Sequence, residues 1–433
     1  MEDQAYRWVA LGGFFVILFI AWATGTKSPI NKKTIGGSIF IAWAIGGLTF
    51  WFPWTRNVLD WVNDSLIAIL QASQKGSIFL FGPLAVGPGQ TLPDGTPSVG
   101  FVLAMQVLPS VIFFSALISM LYYLKVMQAC VNRFAKLFHK SMDLSGAESL
   151  SASANIFVGI ESCLTIRPYL DRMSRSELLT LMTCMMATVA STVMAVYIIA
   201  LENVFPQIAG HLVSASIISI PCAILVSKLS IPEVEIPQTL GLIPKENSEA
   251  KISNNVHDKK PHNLMVALID GGMQGVKLAV GIATLLIVIL GIEEIIDLVL
   301  KYMPNLANEP ISITRILGWF TWPFTILIGL RPEEWELGSQ ILGSRFVETE
   351  VTAYFKLATL QSASIPAFSL RSFTILTYCL CGFVHIASLG IFIGGIAALI
   401  PSRVKEVTII GTRGLWTAFL ATLLTGCIAG VLA

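Results

Sequence analysis

Eight long stretches of apolar residues constrain this chain more than any other feature of its sequence. They cover residues 8–23, 35–54, 101–124, 178–201, 211–227, 275–300, 372–400 and 415–432. A helix of about 20 apolar residues crosses the hydrocarbon core of a bilayer. Only helices and closed barrels satisfy their backbone polar groups in that environment. We therefore predict an all-α polytopic membrane protein with eight transmembrane helices and a lipid bilayer as its partner.

The remaining composition excludes several classes of function. Charged residues are 13% of the chain, against roughly 25% in a soluble domain, and the net charge of +1 gives no basis for nucleic-acid binding. The seven cysteines form no CxxC pair, which is typical of small buried apolar residues. No phosphate-binding loop, metal-spaced His/Cys set or nucleophile elbow is present, so we expect neither an enzyme nor a cofactor. The N-terminus lacks the features of a signal peptide, so the first apolar stretch is expected to be retained.

One phrase, Phe-Val-x-x-Glu, occurs twice in less apolar surroundings. It ends at Glu161 in the first copy and at Glu350 in the second. Each copy interrupts a stretch, 144–174 or 336–371, whose apolar arms are too short to cross a bilayer. We predict that each stretch is a re-entrant helical hairpin. A carboxylate at membrane depth is costly and indicates a functional site.

Lysines and arginines predict the orientation of the chain. They follow the first and third apolar stretches, fill the hydrophilic segment 229–263 and precede the last stretch. All of them lie inside if both termini lie outside and the two hairpins do not cross. The amphipathic segments 60–80 and 126–140 and the aromatic-rich segment 311–330 are then expected at the membrane interface.

The same topology divides the chain into two halves of opposite orientation, an inverted repeat that is common in secondary transporters. The predicted units are N-terminal transmembrane and interfacial helices (1–100), a first repeat half (101–228), a cytoplasmic loop (229–263) and a second repeat half (264–433).

The two hairpin tips are expected to meet in one polar cavity. Helix ends at the tips suit ions and polar solutes, and the side-chain oxygens of Asn155 and Thr188 with nearby carbonyls suit a hard monovalent cation. Alternatively, the glutamates pair with Arg167 or Arg345 to lock the hairpins, and Asn155 and Thr188 only satisfy helix backbones.

His385 lies deep in an apolar stretch, next to Phe383 and Ser388 and before several glycines. It is the only histidine in such a position, and an intramembrane ionisable residue is a candidate site residue. A structural role in the core is the alternative.

The chain resembles the concentrative nucleoside transporter family. The matching motifs are at residues 29–31, 113–119, 122–124, 154–159, 380–383, 393–395 and 426–430. The resemblance implies a homotrimer in the cell inner membrane. Each protomer would carry a nucleoside by an elevator motion driven by a cation gradient.

The resemblance also implies roles for individual residues. Glu161 would contact the nucleobase, with Val193 nearby, and Glu350 would bind the ribose hydroxyls. Phe383 would flank the substrate, and Ser388 would contact the ribose.

The same resemblance implies that Na⁺ is the coupling ion and that it has its own binding site. Asn155, Thr188 and the carbonyls of Val158 and Val189 would hold the ion.

Four positions depart from the family pattern. A glutamine that reads the base is missing beside Ile160, His385 and Thr349 each stand where the family has an asparagine, and Arg345 stands where it has a lysine. Because histidine titrates near neutral pH, proton coupling is open, as is transport of a modified nucleoside or another polar solute. A membrane-embedded enzyme that uses the two carboxylates as acid and base is the remaining alternative.

Overall fold

The computed structural model describes residues 2–87, 90–92, 94–241, 263–303 and 310–433. The side chains of residues 2, 3, 53, 54, 56, 160, 161, 164 and 398 also lie outside the description. Most of the predicted loop 229–263 therefore falls outside the described residues. Regular structure within them is helical, apart from one isolated bridge between Thr91 and Pro97. The predicted all-α architecture is confirmed for this part of the chain.

The N-terminal third begins with three long helices and ends with an amphipathic one. These helices are α1 (Glu2–Ala23), α2 (Lys32–Trp51), α3 (Pro53–Phe81), α4 (Leu103–Gln106), α5 (Leu108–Tyr123) and α6 (Val126–Met142). Left-handed residues, Lys125 and Asp143, flank α6. Lys33 Nζ lies 2.8 Å from Asp143 Oδ1 and, by this hydrogen bond, lowers the pKa of that carboxyl group.

The first interrupted stretch forms two unequal arms. Its first arm is α7 (Gly146–Ala154), and its second is a 3₁₀ turn (Ile160–Ile166) followed by α8 (Arg167–Leu170). Serine–glutamate capping boxes start α7 at Ser145 and the helix that follows α8 at Ser174.

The predicted span 178–201 lies within Arg175–Leu201, a segment that is long and apolar enough to cross a membrane. The structure has two helices there, α9 (Arg175–Ala187) and α10 (Ser191–Leu201), followed by α11 (Ile208–Ser230). The helix ends because Thr188 adopts an extended conformation. The N–H of Ser191 then donates to the carbonyl oxygen of Phe157 at 3.0 Å, outside its own helix.

The second half repeats this order of elements. Its helices are α12 (Leu264–Leu300), α13 (Ile313–Leu327), α14 (Trp335–Ser344), α15 (Glu350–Gln361), α16 (Leu370–Leu380), α17 (Ile386–Leu399) and α18 (Val404–Leu432). The predicted span 372–400 is likewise two helices, α16 and α17. The N–H of Ile386 donates to Phe346 O at 3.0 Å.

The two cross-links are equivalent in the two halves. Phe157 and Phe346 are the phenylalanines of the two Phe-Val-x-x-Glu phrases, and each binds the first residue of a short helix. In each half, the hairpin tip is therefore hydrogen-bonded to the break in the apolar segment that follows the hairpin. An internal repeat is expected to show this equivalence.

Among the described residues, seven helical segments are long and apolar enough to cross a membrane: Gln4–Ala23, Lys32–Trp51, Leu103–Tyr123, Arg175–Leu201, Ile208–Ser230, Leu264–Leu300 and Pro401–Leu432. The predicted eighth crossing coincides with the shorter apolar helices α16 and α17. The number of crossings, the re-entrant course of the hairpins and the division into four units stay predictions.

Close packing of α12 on α5 depends on glycine. A Cβ atom at Gly271 would lie 2.4 Å from Ser119 Cβ, and one at Gly275 would lie 2.6 Å from Ile112 Cα. Small residues allow such close approach between membrane helices. The rest of α12 is largely exposed, whereas α11 and α18 are buried along most of their length.

Candidate functional site

A cavity of about 190 Å³ lies between the two hairpin tips and α12. Gly159 of the first tip lines it, and so do five residues predicted for the substrate site: Val193, Glu350, Phe383, His385 and Ser388. α12 closes the other side with residues that include Lys277 and Leu278. The breaks at 188–190 and 381–385 bring these side chains together, because each short helix starts at the cavity wall.

Glu350 is the first residue of α15, and its side chain is 2% exposed. The partial positive charge of a helix N-terminus favours a carboxylate there. Tyr197 donates its hydroxyl proton to Oε1 at 2.8 Å, and His385 Nε2 lies 3.1 Å from Oε2. Within the described residues Oε2 accepts no aligned hydrogen bond, so it has capacity for another donor.

The environment of His385 fixes which nitrogen carries the proton. His385 caps α17. Its ring Nδ1 accepts the backbone N–H of Ser388 at 3.0 Å, and the backbone N–H of His385 donates to Ser388 Oγ at 3.3 Å. A nitrogen that accepts a hydrogen bond carries no proton, so in neutral imidazole the proton is on Nε2. His385 therefore presents a donor to Glu350.

Arg345 does not lock the hairpin by pairing with Glu350, as the structural alternative required. Its buried guanidinium donates to the carbonyl of Cys379, to Gly382 O at 3.2 Å and to Thr422 Oγ1 at 3.3 Å. These bonds hold the break between α16 and α17, where backbone carbonyls leave their helix. Arg345 thus positions the segment that carries Phe383 and His385.

Two residues were missed by the sequence reasoning: Lys277, which lines the cavity, and Tyr197, which binds Glu350. Tyr197 lies one helical turn after Val193, so the i,i+4 relation on a helix was a signal for it. Lys277 lies inside the apolar stretch 275–300, and a charge at that depth was a second signal.

Asn155 is the candidate cation ligand with the clearest structural signature. It ends α7 and is fully buried, and neither atom of its amide has a hydrogen-bond partner in the described residues. Buried amides are nearly always satisfied, so an orphaned one calls for a bound ion or water. Thr188 donates to Cys184 O at 2.8 Å, which leaves its oxygen lone pairs free.

The remaining predicted ligands lie in the matching non-helical segments. Val158 and Val189 belong to the first tip and to the break after α9, which the Ser191–Phe157 bond holds together. The side chain of Glu161 lies outside the described residues, so its contact with the base stays a prediction.

Three family models match consecutive parts of the chain. They are the N-terminus of Na⁺ dependent nucleoside transporters (residues 12–84), nucleoside recognition (104–203) and the C-terminus of Na⁺ dependent nucleoside transporters (211–430). This chain belongs to the concentrative nucleoside transporter family. The predicted resemblance is confirmed.

Individual family members match along nearly the whole chain. The nucleoside permease NupC of Helicobacter pylori is 31% identical, over 97% of this chain and 96% of its own. Sodium/nucleoside cotransporter 1 of Rattus norvegicus is 32% identical, over 98% of this chain but 63% of its own length.

Solved structures of the transporter CNTnw share the fold. The inward-facing, substrate-bound state has a TM-score of 0.87 at 29% identity and covers 99% of this chain and 98% of its own. A variant in an outward-facing state has a TM-score of 0.85 at 28% identity, with 98% and 97% covered. The chain is thus a polytopic membrane transporter and not an enzyme, as predicted.

Proposed function

We propose that this chain imports nucleosides in symport with Na⁺ by an elevator-type motion of its hairpins and broken helices. The observation that carries the proposal is the carboxylate of Glu350, which receives a hydroxyl and faces an imidazole N–H in a cavity between the two tips. A buried acceptor of this kind binds a solute that brings hydroxyl donors and rejects one that leaves it unpaired.

The ribose is proposed to lie against Glu350, with its hydroxyls donating to the free lone pairs of the carboxylate. Ser388 would add a polar contact, and Phe383 would pack on the sugar or base. The base would extend toward Val193 and Glu161 on the first tip. Lys277, a cation that lines the same cavity, supplies donors for acceptor atoms of the substrate.

Na⁺ is proposed to bind between Asn155, Thr188 and the carbonyls of Val158 and Val189. The unpartnered amide of Asn155 supports this set, since an amide oxygen is a ligand that hard cations prefer. Ion binding would order the first tip and its bond to α10, which shapes the substrate cavity. A ligand that favours one conformation in this way couples ion to substrate.

We propose a homotrimer in the cell inner membrane, with both termini outside. The basic clusters support that orientation, because positively charged loops stay on the cytoplasmic side.

Transport of a modified nucleoside or another polar solute is a second candidate. It is favoured by Thr349 and His385 at the cavity, which present a hydroxyl and an imidazole where amides are expected. Proton coupling through His385 receives less support, since His385 uses Nδ1 to cap α17 and a proton there would break the cap.

The experiment is uptake of labelled uridine into proteoliposomes in competition with a panel of nucleosides and sugars. Nucleosides are expected to compete and free sugars are not. If no nucleoside competes, the proposed substrate class is wrong.

Glu350→Gln is expected to abolish uptake while the protein still assembles, since the neutral amide brings its own donors to a site built around an acceptor. Glu336→Gln, on the exposed face of α14 in the same hairpin, is the matched control and should transport normally. Uptake by Glu350→Gln with unchanged KM and kcat would refute the role of Glu350. Size-exclusion chromatography reports assembly of both variants.

A further inference from the structure

A second buried carboxylate lies on the second hairpin, outside the substrate cavity. Glu348 precedes Glu350 by two residues and is 1% exposed. Its Oε1 contacts Lys356 Nζ of α15 and lies 3.4 Å from Thr314 Oγ1 of α13. Its Oε2 is buried and has no hydrogen-bond partner among the described residues. An unpaired buried oxygen of a carboxylate is costly and requires a donor.

A third helix brings another carboxylate to the same place. Thr314 Oγ1 lies 2.9 Å from Oε1 of Glu293 on α12, so one hydroxyl lies within hydrogen-bonding distance of both carboxyl groups. The hydroxyl of Thr314 has one proton, so it cannot donate to both carboxylates at once.

Among the described residues, the charges in contact with the pair do not neutralise it. Lys356 supplies one positive charge against two carboxylates. In the described part of the chain, the other charged groups of these elements make contacts away from the pair: Asp297 accepts the N–H of Ile313 at 2.7 Å, Arg315 donates to Pro310 O at 3.3 Å, Arg345 donates to Gly382 O at 3.2 Å, and Glu294 pairs with Lys301 at 3.4 Å. Two carboxyl groups that meet at one hydroxyl cannot both ionise readily, and a shared proton resolves the conflict.

We propose that Glu348 and Glu293 form a proton-binding site in which one shared proton holds the second hairpin against α12. The carboxyl group that carries the proton donates a hydrogen bond, and the other carboxylate accepts it. Lys356 and Thr314 satisfy the remaining oxygens.

The site links an element proposed to move with a helix on the outside of the protomer. If the hairpin moves away from α12, the two carboxyl groups separate and the shared proton is released. This consequence rests on the proposed alternating-access motion. The proton site itself does not require that the substrate be a nucleoside.

The test measures the distance between the hairpin and α12 as a function of pH, without Na⁺ or nucleoside. Spin labels on Thr359→Cys of α15 and Ile287→Cys of α12, both exposed positions, report that distance in a Cys130→Ser background. Cys130 is half-buried, and the other native cysteines are buried. Double electron–electron resonance gives the population of the close arrangement.

In the labelled protein we expect this population to fall as pH rises, by up to about tenfold in the equilibrium constant per pH unit for one linked proton. Glu348→Gln and Glu293→Gln should abolish the dependence, because an amide N–H permanently replaces the shared proton. Glu294→Gln, the adjacent carboxylate on α12, should leave it unchanged. Lys356→Met should move its midpoint to higher pH, since removing a cation strengthens proton binding.

The proposal is overturned if the population does not change between about pH 5 and about pH 9. It is also overturned if either glutamine variant keeps the dependence of the parent protein. Glu293 is only half-buried, so Glu293→Gln decides the question even where Glu348→Gln does not fold. Failure of nucleoside uptake would refute the proposed substrate class and leave this measurement unaffected.

Discussion

At the scale of single residues, the carboxylate of Glu350 is the centre of the proposed substrate site. Tyr197 and His385 face its two oxygens from opposite halves of the chain. The twin phrase predicted Glu350, and position in an apolar stretch predicted His385. Neither pattern could predict Tyr197 as a donor, because its bond to Glu350 joins residues far apart in sequence.

Tyr197→Phe should raise KM for nucleoside about tenfold and leave the amount of folded protein unchanged. The phenyl ring keeps the packing against Tyr354, while the lost hydrogen bond to a charged group contributes about 1.5–3 kcal/mol. Initial-rate kinetics in proteoliposomes measure the effect.

Tyr354→Phe is the matched control for this prediction. The hydroxyl of Tyr354 donates to Thr377 O at 2.9 Å and not to a carboxylate, so its loss should lower the melting temperature with little effect on KM. An unchanged KM in Tyr197→Phe would show that the donor does not shape the site.

At the scale of elements, the breaks in the helices were the part of the fold that the sequence concealed. Hydropathy indicated spans over 178–201, with a polar middle at Thr188, Ser191 and Thr192, and over 372–400. Both contain short helices that meet at a break. Hydropathy averaged over a window of residues changes little when a few of those residues are not helical. The bonds from Ser191 and Ile386 to the hairpin tips stabilise these breaks, and such long-range bonds have no local signal.

Asn155→Ala should weaken the stimulation of uptake by Na⁺, because the variant removes the unpartnered amide from the first tip. We expect the Na⁺ concentration for half-maximal uptake to rise about tenfold, which corresponds to about 1.4 kcal/mol. Nucleoside uptake against a series of Na⁺ concentrations measures this shift.

Thr188→Val should give a shift in the same direction, since its oxygen belongs to the same proposed set. Thr183→Val is the control: Thr183 lies on α9, five residues before Thr188, and it donates to Leu179 O at 2.7 Å and lies next to Thr417. Identical Na⁺ dependence in Asn155→Ala, Thr188→Val and the parent protein would rule out the proposed cation site.

At the scale of the whole molecule, the internal repeat relates the two proposed binding functions. The first tip carries Asn155 and the proposed cation site, and the second tip carries Glu350 and the proposed ribose site. Composition and apolar stretches predicted the membrane class, and motif resemblance predicted the family. Substrate selectivity could not be predicted, because four positions near the tips depart from the family pattern.

The most direct test of the account is accumulation of labelled uridine and adenosine by proteoliposomes under an imposed Na⁺ gradient or an imposed H⁺ gradient. We predict accumulation above the external concentration when Na⁺ is higher outside, and none when choline replaces Na⁺. Accumulation under the H⁺ gradient alone would contradict Na⁺ coupling. Failure to accumulate either nucleoside above protein-free liposomes under both gradients would contradict the proposed function as a whole.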